Sequence, residues 1–471
     1  MALHDAASSD HQDNLVGRMD RLPVTKFQLL WISVLAMGYL IETFDNIVFA
    51  YLAPSIRQEW GLSIAQVGFV TSMAFVGMFF GAVIGGRLSD RFGRKPVLIW
   101  SSILYSFTSL LSALAPNIEI LTLSRVLTGV GVQAATGVIM VYVSEMFPNS
   151  SRGRFFTVMT FGGFAAGPIT SFVALSIAPT GVGAWRWVFA MGTIGVIIAL
   201  VVALGLPETV RWSVNSGRLV RASKLVQAME SAALRKGPLL PISTALQVPR
   251  QATLRELFRP AYARRLVVLG VSFGLLVFCL YGFVSWVPTV LVGRGLDQRL
   301  ALTIATYINL ASLVTPVVLF GFADRIERKT ALLIAGVVGG VSMAVFGSAT
   351  AFWPSVISGF VVQLALSAAT TSFYTYMPEV FPTDIRGVGA GTVNGIGRIA
   401  GIASGVSVAA IYSSLGAATL YVILGVGLVV MGLVLAFFGP RTTRRPLEVI
   451  SEKVSATQQL SAAPLPTSQD A

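Results

Sequence analysis

Apolar runs of about 20 residues recur along the chain from Phe27 onward, and each is long enough to cross a hydrocarbon core of roughly 30 Å as a helix. The 471 residues are 54% hydrophobic and only 12% charged, whereas about a quarter of the residues in ordinary globular domains are charged. So few charges could not cover the surface of a water-soluble core. We therefore expect an all-α protein that crosses a membrane many times.

We expect twelve membrane helices, separated by short polar loops and one longer polar stretch. Their expected spans are 27–53, 63–86, 96–115, 120–143, 155–178, 187–206, 266–291, 300–322, 330–350, 353–376, 387–412 and 416–439. The sequence thus predicts a polar N-terminal tail (1–26), a six-helix bundle (27–206), a linker with short helices (207–263), a second six-helix bundle (264–439) and a C-terminal tail (440–471).

The distribution of the 34 Lys and Arg residues predicts the orientation of these helices. The loops of one side hold only Arg57, Arg186, Arg294 and Arg299, and nearly all the others lie in the tails, the linker and the loops of the opposite side. Basic loops remain in the cytoplasm. We therefore expect both tails and the linker to be cytoplasmic, and the protein to lie in a plasma membrane, specifically a bacterial inner membrane.

Cysteine and histidine are too few for redox or metal chemistry. The only histidines, His4 and His11, lie in the N-terminal tail, and the only cysteine, Cys279, lies in an apolar run. This pattern excludes a disulfide framework and a cysteine-based metal site. The sequence also lacks the phosphate-binding loop of ATP-driven pumps. We therefore expect no metal, no cofactor, no enzymatic activity and, because the basic residues lie between apolar runs, no nucleic-acid partner.

Two charged motifs occur twice in the chain, and both pairs of copies have the same spacing along the sequence. The copies are Asp90-Arg91 with Arg94-Lys95 and Asp324-Arg325 with Arg328-Lys329, and Glu145 with Arg152 and Glu379 with Arg386. Two unrelated motifs at one spacing indicate duplication of a six-helix unit. In transporters built this way the substrate site lies between the halves near the bilayer midplane.

The first of these motifs, from Gly86 to Lys95, resembles the G-x-L-x-D-R-x-G-R-K signature of the major facilitator superfamily, and the likeness extends over residues 27–439. In the second copy Glu327 replaces a glycine. The resemblance implies two pseudo-symmetric six-helix bundles that alternate access to the substrate. It also implies conformational gating by charged contacts at helix ends. The residues expected in this gating are Gly86, Asp90, Arg91, Gly93, Arg94, Glu145, Arg152, Asp324, Arg325, Arg328, Glu379 and Arg386.

Two further motifs resemble elements of proton-driven relatives. Arg125, followed by Gly129 and Gly131, is similar to the R-x-x-x-G-x-G pattern that accompanies proton coupling in this superfamily. The segment Pro207-Glu208-Thr209-Val210-Arg211-Trp212 resembles the P-E-S-P-R-W element of sugar porters and related organic-acid symporters. These likenesses indicate the lineage of the chain but not its substrate.

The substrate class is suggested by two stretches within the spans. Glu42-Thr43-Phe44-Asp45 resembles the D-G-x-D element of aromatic-acid/proton symporters, although Glu42 and Thr43 depart from it. The stretch around Arg398, from Gly395 to Gly401, resembles helix 11 of the same symporters and of niacin-type carriers. The resemblance implies a transporter of small organic anions.

Four ionisable residues lie clearly within the expected spans: Glu42, Asp45, Arg125 and Arg398. Each costs roughly 2.5 kcal/mol or more at a helix centre, so each is a candidate functional residue. Glu42 and Asp45 share a helix face and cannot both ionise cheaply, so one of them is expected to carry a proton. Asp45 and Arg125 lie at similar depth and can pair, as a mobile coupling pair or as a static salt bridge.

Arg398 lies near the midplane, where its planar guanidinium suits a substrate carboxylate, with packing against backbone carbonyls as the alternative. Other polar or aromatic positions could contact the substrate or could stabilise helix packing. They are Asn46, Gln133, Tyr281, Trp286, Gln363, Tyr374 and Asn394.

We therefore predict a secondary active transporter that couples protons to the uptake of a small organic anion, specifically an aromatic or related monocarboxylate. Its partners would be the substrate, protons and the bilayer, and the chain would act as a monomer. The sequence leaves open a proton symporter for a sugar, a polyol or another neutral metabolite, and a drug/proton antiporter. A membrane-bound enzyme or receptor is disfavoured by the lack of a metal-ligand cluster in the spans.

Overall fold

The computed structural model describes residues 15–148, 151–235, 237–239, 241, 254–322, 326–382 and 385–442. Within these ranges the regular structure is helical and contains no strand. Eleven of the described helices are long and apolar enough to cross a membrane. They are α1 (Lys26–Trp60), α2 (Ile64–Phe92), α3 (Arg94–Ala113), α4 (Ile118–Met146), α5 (Arg152–Ile177), α6 (Trp185–Gly205), α7 (Pro260–Val284), α8 (Gln298–Leu319), α9 (Arg328–Ser348), α10 (Phe352–Val380) and the helix Arg386–Phe438.

The last of these helices is long enough to cross the membrane twice. It has 53 residues, and at 1.5 Å per residue this is about 80 Å of helix, far more than one crossing needs. The chain turns at Gly416, whose φ of 77° lies in the region that favours glycine. We divide the helix there into α11 (386–415) and α12 (417–438). The twelve predicted spans are therefore present among the described residues.

Short helices also occur in the predicted linker, at Val210–Asn215, Leu219–Leu234 and Leu254–Leu257. Thr209 begins the first of them, because its hydroxyl accepts a hydrogen bond from the backbone N–H of Trp212 at 3.4 Å. The predicted helical character of the linker is confirmed.

Small residues bring α2 and α4 into direct contact. A Cβ atom added to Gly77, Gly81 or Gly85 would collide with α4 between residues 126 and 134. Membrane helices often pack through such small residues. The hydrophobic effect does not drive helices together in lipid, so their association depends on close packing of their backbones and side chains. The three glycines therefore allow the backbones of α2 and α4 to approach closely.

The described residues form two compact units. The first comprises the described residues of Met1–Gln247, Val284–Leu313 and Gly405–Ser414, and the second those of Val248–Phe283, Val314–Ser404 and Leu415–Ala471. The first unit thus contains α1 to α6 together with residues 298–313 of α8 and residues 405–414 of α11. These two units are defined by contacts in space, whereas the predicted domains are defined by a repeat in the sequence. The units therefore do not test the predicted domain boundaries, which stay a prediction.

In the first unit, α2 packs closely against residues 405–414 of α11. The hydroxyl oxygen of Ser72 accepts a hydrogen bond from the backbone N–H of Val406 at 3.0 Å. A Cβ atom on Gly405 would collide with Ser72 and with the backbone of Gly68. The two helices are therefore in backbone contact at this point.

Part of the predicted polar N-terminal tail packs against the linker in the first unit. Arg18 donates to Glu230 of the helix Leu219–Leu234 from Nε at 3.1 Å and from Nη2 at 2.5 Å. Arg21 donates to the same carboxylate at 2.9 Å, and Met19 is fully buried. The hydrogen bond from Arg18, together with that from Arg21, holds the pKa of Glu230 below its usual range. Residues 15–25 are therefore a packed segment and not a solvated tail.

Candidate functional site

Asp45 of α1 and Arg125 of α4 form a buried ion pair in the first unit. Nη1 of Arg125 lies 3.6 Å from Oδ1 of Asp45, and Nη2 donates to the backbone carbonyl of Asp45 at 2.7 Å. Asp45 is 0% and Arg125 1% exposed. The guanidinium also lies 5.4 Å from the ring centroid of Phe189 in α6. The predicted pairing is confirmed, while its part in proton coupling stays a prediction.

Ser109 of α3 completes the surroundings of the Asp45 carboxylate. Its hydroxyl donates to Oδ1 of Asp45 and lies 3.2 Å from the carbonyl of Phe189. Gly192 leaves room for this contact, since a Cβ atom there would collide with Ser109. The other carboxylate oxygen, Oδ2, is buried without a hydrogen-bond partner among the described residues. A proton could therefore bind Oδ2 without displacing Ser109 or Arg125.

Glu42 lies one helical turn from Asp45 but has different neighbours. It is 1% exposed, and Oε1 accepts a hydrogen bond from the hydroxyl of Thr136 in α4. Its Oε2 has no hydrogen-bond partner within the described ranges, and Leu35 and Leu98 line a narrow, largely apolar cavity beside it. A carboxylate in such surroundings needs a counter-charge. The two candidate proton carriers thus differ, because Asp45 has a cationic partner in the described structure and Glu42 has only a hydroxyl.

Arg398 of α11 lies beside aromatic side chains in the second unit. Its guanidinium forms a hydrogen bond with Tyr281 of α7, and Tyr374 of α10 is close enough to Tyr281 to influence it electrostatically. The rings of Tyr374 and Phe273 meet edge to face, with centroids 5.6 Å apart. Gly397 permits this packing, because a Cβ atom there would press against the ring of Phe273. The cluster combines a planar cation, phenolic hydroxyls and aromatic rings, which together suit an aromatic carboxylate.

The other predicted substrate ligands are divided between the two units. Asn46, Gln133 and Trp286 lie in the first unit, and Gln363 and Asn394 lie in the second. Trp286 is 1% exposed, and its indole N–H has no hydrogen-bond partner among the described residues. The Gln363 amide lies 3.4 Å from the hydroxyl of Ser367, one turn further along α10. Their roles as substrate ligands stay predictions.

A charged network fixes the beginning of α3 in the first unit. Arg94 donates to Glu145 at the end of α4, from Nε at 3.1 Å and from Nη2 at 2.7 Å. The hydroxyl of Thr209 donates to the same carboxylate at 2.6 Å. Glu208 accepts from the backbone N–H groups of Arg94 and Lys95, at 2.9 and 3.2 Å. Its negative charge therefore lies at the positive end of the α3 helix dipole.

The second unit repeats much of this network. Nε of Arg328 lies 3.7 Å from Glu379, and the hydroxyl of Thr442 donates to the same carboxylate at 2.7 Å. Arg94 and Arg328 have the same separation along the chain as Glu145 and Glu379. The duplication indicated by the motifs therefore extends to contacts in space.

The acid that accompanies each network differs between the copies. In the first unit, Glu208 comes from the segment after α6, whereas in the second unit Glu327, just before α9, accepts from the backbone N–H of Thr442 at 3.0 Å. Gly93 occupies the position before α3 with a φ of 108°, and a Cβ atom there would collide with Glu208. In the first copy, Glu208 fits beside α3 because residue 93 is a glycine without a Cβ atom. In the second copy, Glu327 occupies the position that corresponds to Gly93.

The remaining gating candidates differ in exposure and in the contacts of their side chains. Asp90 lies 3.2 Å from Arg94, but its side chain is 76% exposed, so Glu145 is the main partner of Arg94. Arg152 donates to a backbone carbonyl at 3.4 Å. Gly86 and Arg91 are exposed, and Arg386 is half-buried. Asp324 and Arg325 lie outside the described residues.

Four residues of these clusters are not identified as site residues by the sequence: Ser109, Thr136, Glu208 and Thr209. Nothing in the sequence distinguishes Ser109 or Thr136 from the other hydroxyls of their helices. Glu208 and Thr209 belong to a motif that indicates only lineage. A partial copy of this motif, Pro440-Arg441-Thr442, follows the last span, just as the motif itself follows the sixth span. This repeat is a sequence signal that could have linked Glu208 and Thr209 to the gating network.

The sequence of the chain is similar to those of several known proteins. The profile of the Major Facilitator Superfamily matches residues 35–405. The chain is 30% identical to the niacin transporter NiaP of Acinetobacter baylyi, over 83% of this chain and 89% of that protein. It is 29% identical to the gallate transporter of Pseudomonas putida, over 86% of this chain and 91% of that protein.

A solved structure of the xylose transporter XylE from E. coli, in a partially occluded inward open conformation, is similar to this chain. The TM-score is 0.73 with 19% sequence identity, and the match covers 90% of this chain and 100% of that one. Identity at this level supports a shared fold and not a shared substrate. The predicted all-α fold class is confirmed.

Proposed function

The chain belongs to the Major Facilitator Superfamily and is a multi-pass membrane transporter and not an enzyme, and from this premise we propose that it is a proton-coupled symporter for a small organic anion. The substrate is an aromatic or related monocarboxylate. Uptake is driven by the proton gradient without a cofactor, and the chain works as a monomer.

The observation that carries the proposed substrate class is the cluster around Arg398 in the second unit. Within the described ranges no carboxylate lies within ion-pair distance of this guanidinium, and its hydrogen-bond partner is the hydroxyl of Tyr281. A substrate carboxylate supplies the missing anion through two parallel hydrogen bonds. The ring of Tyr374 is 47% exposed and is held by its edge-to-face contact with the buried Phe273, so it offers a surface for an aromatic ring.

The proposed proton coupling rests on Asp45 and its partner Arg125. When the pair is intact, the guanidinium favours the ionised carboxylate, and when the pair opens, burial favours the protonated acid. Proton uptake and release can therefore follow a conformational cycle that changes the distance between these two side chains.

A bacterial inner membrane, with both chain ends in the cytoplasm, is the proposed location. The basic linker and the basic loops support this orientation, as do the bacterial sources of the similar transporters. Single cysteines at two exposed positions test it, namely Ser216 in the linker and Val182 between α5 and α6. An impermeant maleimide should label Val182→Cys in intact cells, and Ser216→Cys only after permeabilisation. The reverse pattern would contradict the proposed orientation.

The test of the proposed function is uptake by purified protein in vesicles, with and without an acid-outside gradient. We expect gradient-dependent accumulation of niacin, gallate or another aromatic monocarboxylate, and no accumulation of the corresponding amide. Arg398→Lys keeps the charge but loses the planar fork, so the apparent affinity should fall by roughly ten-fold while the protein amount is unchanged. Equal uptake of acid and amide would favour a neutral-solute symporter, and accumulation driven by the opposite gradient would favour an antiporter.

A further inference from the structure

We propose that this transporter has a second binding site, a pocket that takes a small hydroxylated organic anion on the membrane side opposite the Gly86–Lys95 loop. A ligand in this pocket would hold that side of the protein closed. The inference rests on the proposed function for its alternating-access cycle, but the pocket itself is a feature of the first unit alone.

The pocket lies between the end of α1 and the chain that leads into α8. It has a volume of about 500 Å³, within the usual range of small-molecule sites. Its polar lining comes from Arg57 and Gln58 on one side and from Thr289, Asp297 and Gln298 on the other. All of these residues belong to the first unit.

Arg57 is held in a position that suits an anion. Its Nε donates to the backbone carbonyl of Leu62 at 3.0 Å, and this is the only hydrogen bond of its side chain among the described residues. The bond restrains the guanidinium, while the two terminal nitrogens retain their hydrogen-bonding capacity. A restrained guanidinium loses less entropy on binding a carboxylate than a mobile one would.

Thr289 provides a second, independent indication of a ligand. Its side chain is 1% exposed, and its hydroxyl is buried without a hydrogen-bond partner among the described residues. Buried hydroxyls are normally satisfied. A hydroxyl or carboxylate oxygen of a ligand in the pocket would satisfy this one.

Asp297 and Gln298 indicate which hydrogen-bonding group the ligand carries in addition to its carboxylate. Asp297 accepts from the backbone N–H of Arg299 at 2.9 Å through Oδ2, and the amide of Gln298 is engaged with the hydroxyl of Ser55 at 2.5 Å. Both side chains are thereby fixed in the wall. A carboxylate accepts hydrogen bonds only, so Asp297 favours a ligand that carries a hydroxyl donor in addition to its own carboxylate.

The charge around the pocket favours an anion over a cation. Arg57 and Arg294 both lie close enough to Tyr412 to influence its hydroxyl electrostatically. The nearby carboxylate of Glu59 is neutralised by Arg186 at 2.7 Å. Arg57 and Asp297 line the pocket and Arg294 lies near Arg57, so the summed formal charge of these three side chains is positive.

The walls of the pocket come from the two halves of the sequence, α1 from the first and residues 289–298 from the second. In an alternating-access cycle these halves separate when this side opens, so the pocket is complete only while the side is closed. A ligand that binds only the closed state stabilises it by its whole binding free energy. High concentrations of such a ligand on this side should therefore slow uptake without competing at the substrate site.

Protection of a cysteine in the pocket tests the inference. Gln58 is exposed and lines the pocket, whereas Val182 is 92% exposed and lies elsewhere on the same side. Cys279 is buried, so the unmodified protein provides the unlabelled background. We expect millimolar 4-hydroxybenzoate to slow maleimide labelling of Gln58→Cys several-fold, with no effect on Val182→Cys. The neutral analogue 4-hydroxybenzamide should not protect.

Two added substitutions separate this site from the proposed substrate site. Protection of Gln58→Cys should disappear when Arg57→Gln is added and should persist when Arg398→Lys is added. Protection that survives Arg57→Gln, or that Arg398→Lys abolishes, would mean that labelling reports substrate-induced movement, and the inference would be overturned while the proposed function stood. A complete lack of protection in a protein that still accumulates organic acids would identify the pocket as a water-filled vestibule only.

Discussion

Arg125 is closer to the backbone of Asp45 than to its carboxylate. Nη2 donates to the Asp45 carbonyl at 2.7 Å, whereas Nη1 is 3.6 Å from Oδ1. The guanidinium therefore keeps a strong contact with α1 when the carboxylate is neutral. Protonation of Asp45 can change the charge of the pair without detaching α4 from α1.

We expect Asp45→Asn to separate exchange from accumulation. Asparagine mimics the protonated acid and leaves the backbone anchor of Arg125 in place, so the protein should fold and exchange substrate across the membrane. It should not concentrate substrate in response to an acid-outside gradient. Counterflow and gradient-driven uptake in proteoliposomes measure the two activities, and uphill uptake by this variant would place the proton site elsewhere.

Glu42→Gln is the matched variant one helical turn away. The glutamine retains an oxygen that can accept the hydrogen bond from Thr136, and the described structure contains no cation that it would leave unpaired. We therefore expect accumulation to persist, with a change in rate smaller than about ten-fold. If this variant loses accumulation while Asp45→Asn keeps it, Glu42 is the proton carrier.

Glu145→Gln should reduce transport more than Asp90→Asn does. Arg94 makes two hydrogen bonds to Glu145, whereas Asp90 is 76% exposed and makes a single contact at 3.2 Å. A lost charge-assisted hydrogen bond costs about 1.5–3 kcal/mol, so we expect the maximal rate to fall by roughly ten-fold or more in Glu145→Gln. Initial-rate uptake over a range of substrate concentrations should show little change in apparent affinity for either variant. An equal effect of the two substitutions would contradict the contact geometry.

Gly405→Ala should destabilise the protein, whereas Gly391→Ala should not. Both glycines lie in α11, but a Cβ atom at 405 would collide with Ser72 and Gly68, and one at 391 would have open space. Overpacking of this kind costs about 1–3 kcal/mol. The melting temperatures of the two purified variants in detergent provide the comparison, and indistinguishable values would argue against tight packing of α2 on α11.

Docking of the N-terminal segment on the linker should depend on pH through Glu230. The hydrogen bond from Arg18 is the main reason that the pKa of Glu230 lies below its ordinary value of 4.5 in the folded protein. A carboxylate with a lowered pKa stabilises the docked state fully above its ordinary value, and this stabilisation is lost as the pH falls through the lower folded value. We therefore expect residues 15–25 to stay docked from neutral pH to about 5 and to loosen at more acidic pH.

Hydrogen exchange of the backbone amides in residues 15–25 measures this docking. At neutral pH, Glu230→Gln should exchange roughly ten-fold faster than the wild type, because two guanidinium contacts are weakened. Gln227→Ala, on the same helix, serves as the control, because the exposed Gln227 side chain hydrogen-bonds only to Ser223 among the described residues. Unchanged exchange in Glu230→Gln would show that apolar burial around Met19 is sufficient for docking.

The membrane helices and the Asp45–Arg125 pair could be predicted from the sequence, because hydropathy and depth in the bilayer both depend only on the order of residues along the chain. A run of apolar residues specifies a span, and its distance from the span ends specifies depth in the bilayer. Charged residues are rare within membrane spans, so two opposite charges at the same depth are expected to pair with each other. The duplication could be predicted in the same way, because the spacing between Arg94 and Arg328 equals that between Glu145 and Glu379 and is visible in the sequence alone.

Only the tertiary structure decided which helix faces meet. The contacts of Asp45 with Ser109, of Glu42 with Thr136 and of Glu208 with the beginning of α3 depend on helix rotation and on loop geometry, and neither leaves a periodic signal in the sequence. The same holds for the pocket beside Arg57, whose walls come from distant parts of the chain. Local composition determines that a segment lies in the membrane and at what depth, whereas the packing of the whole chain determines which polar side chains share a site.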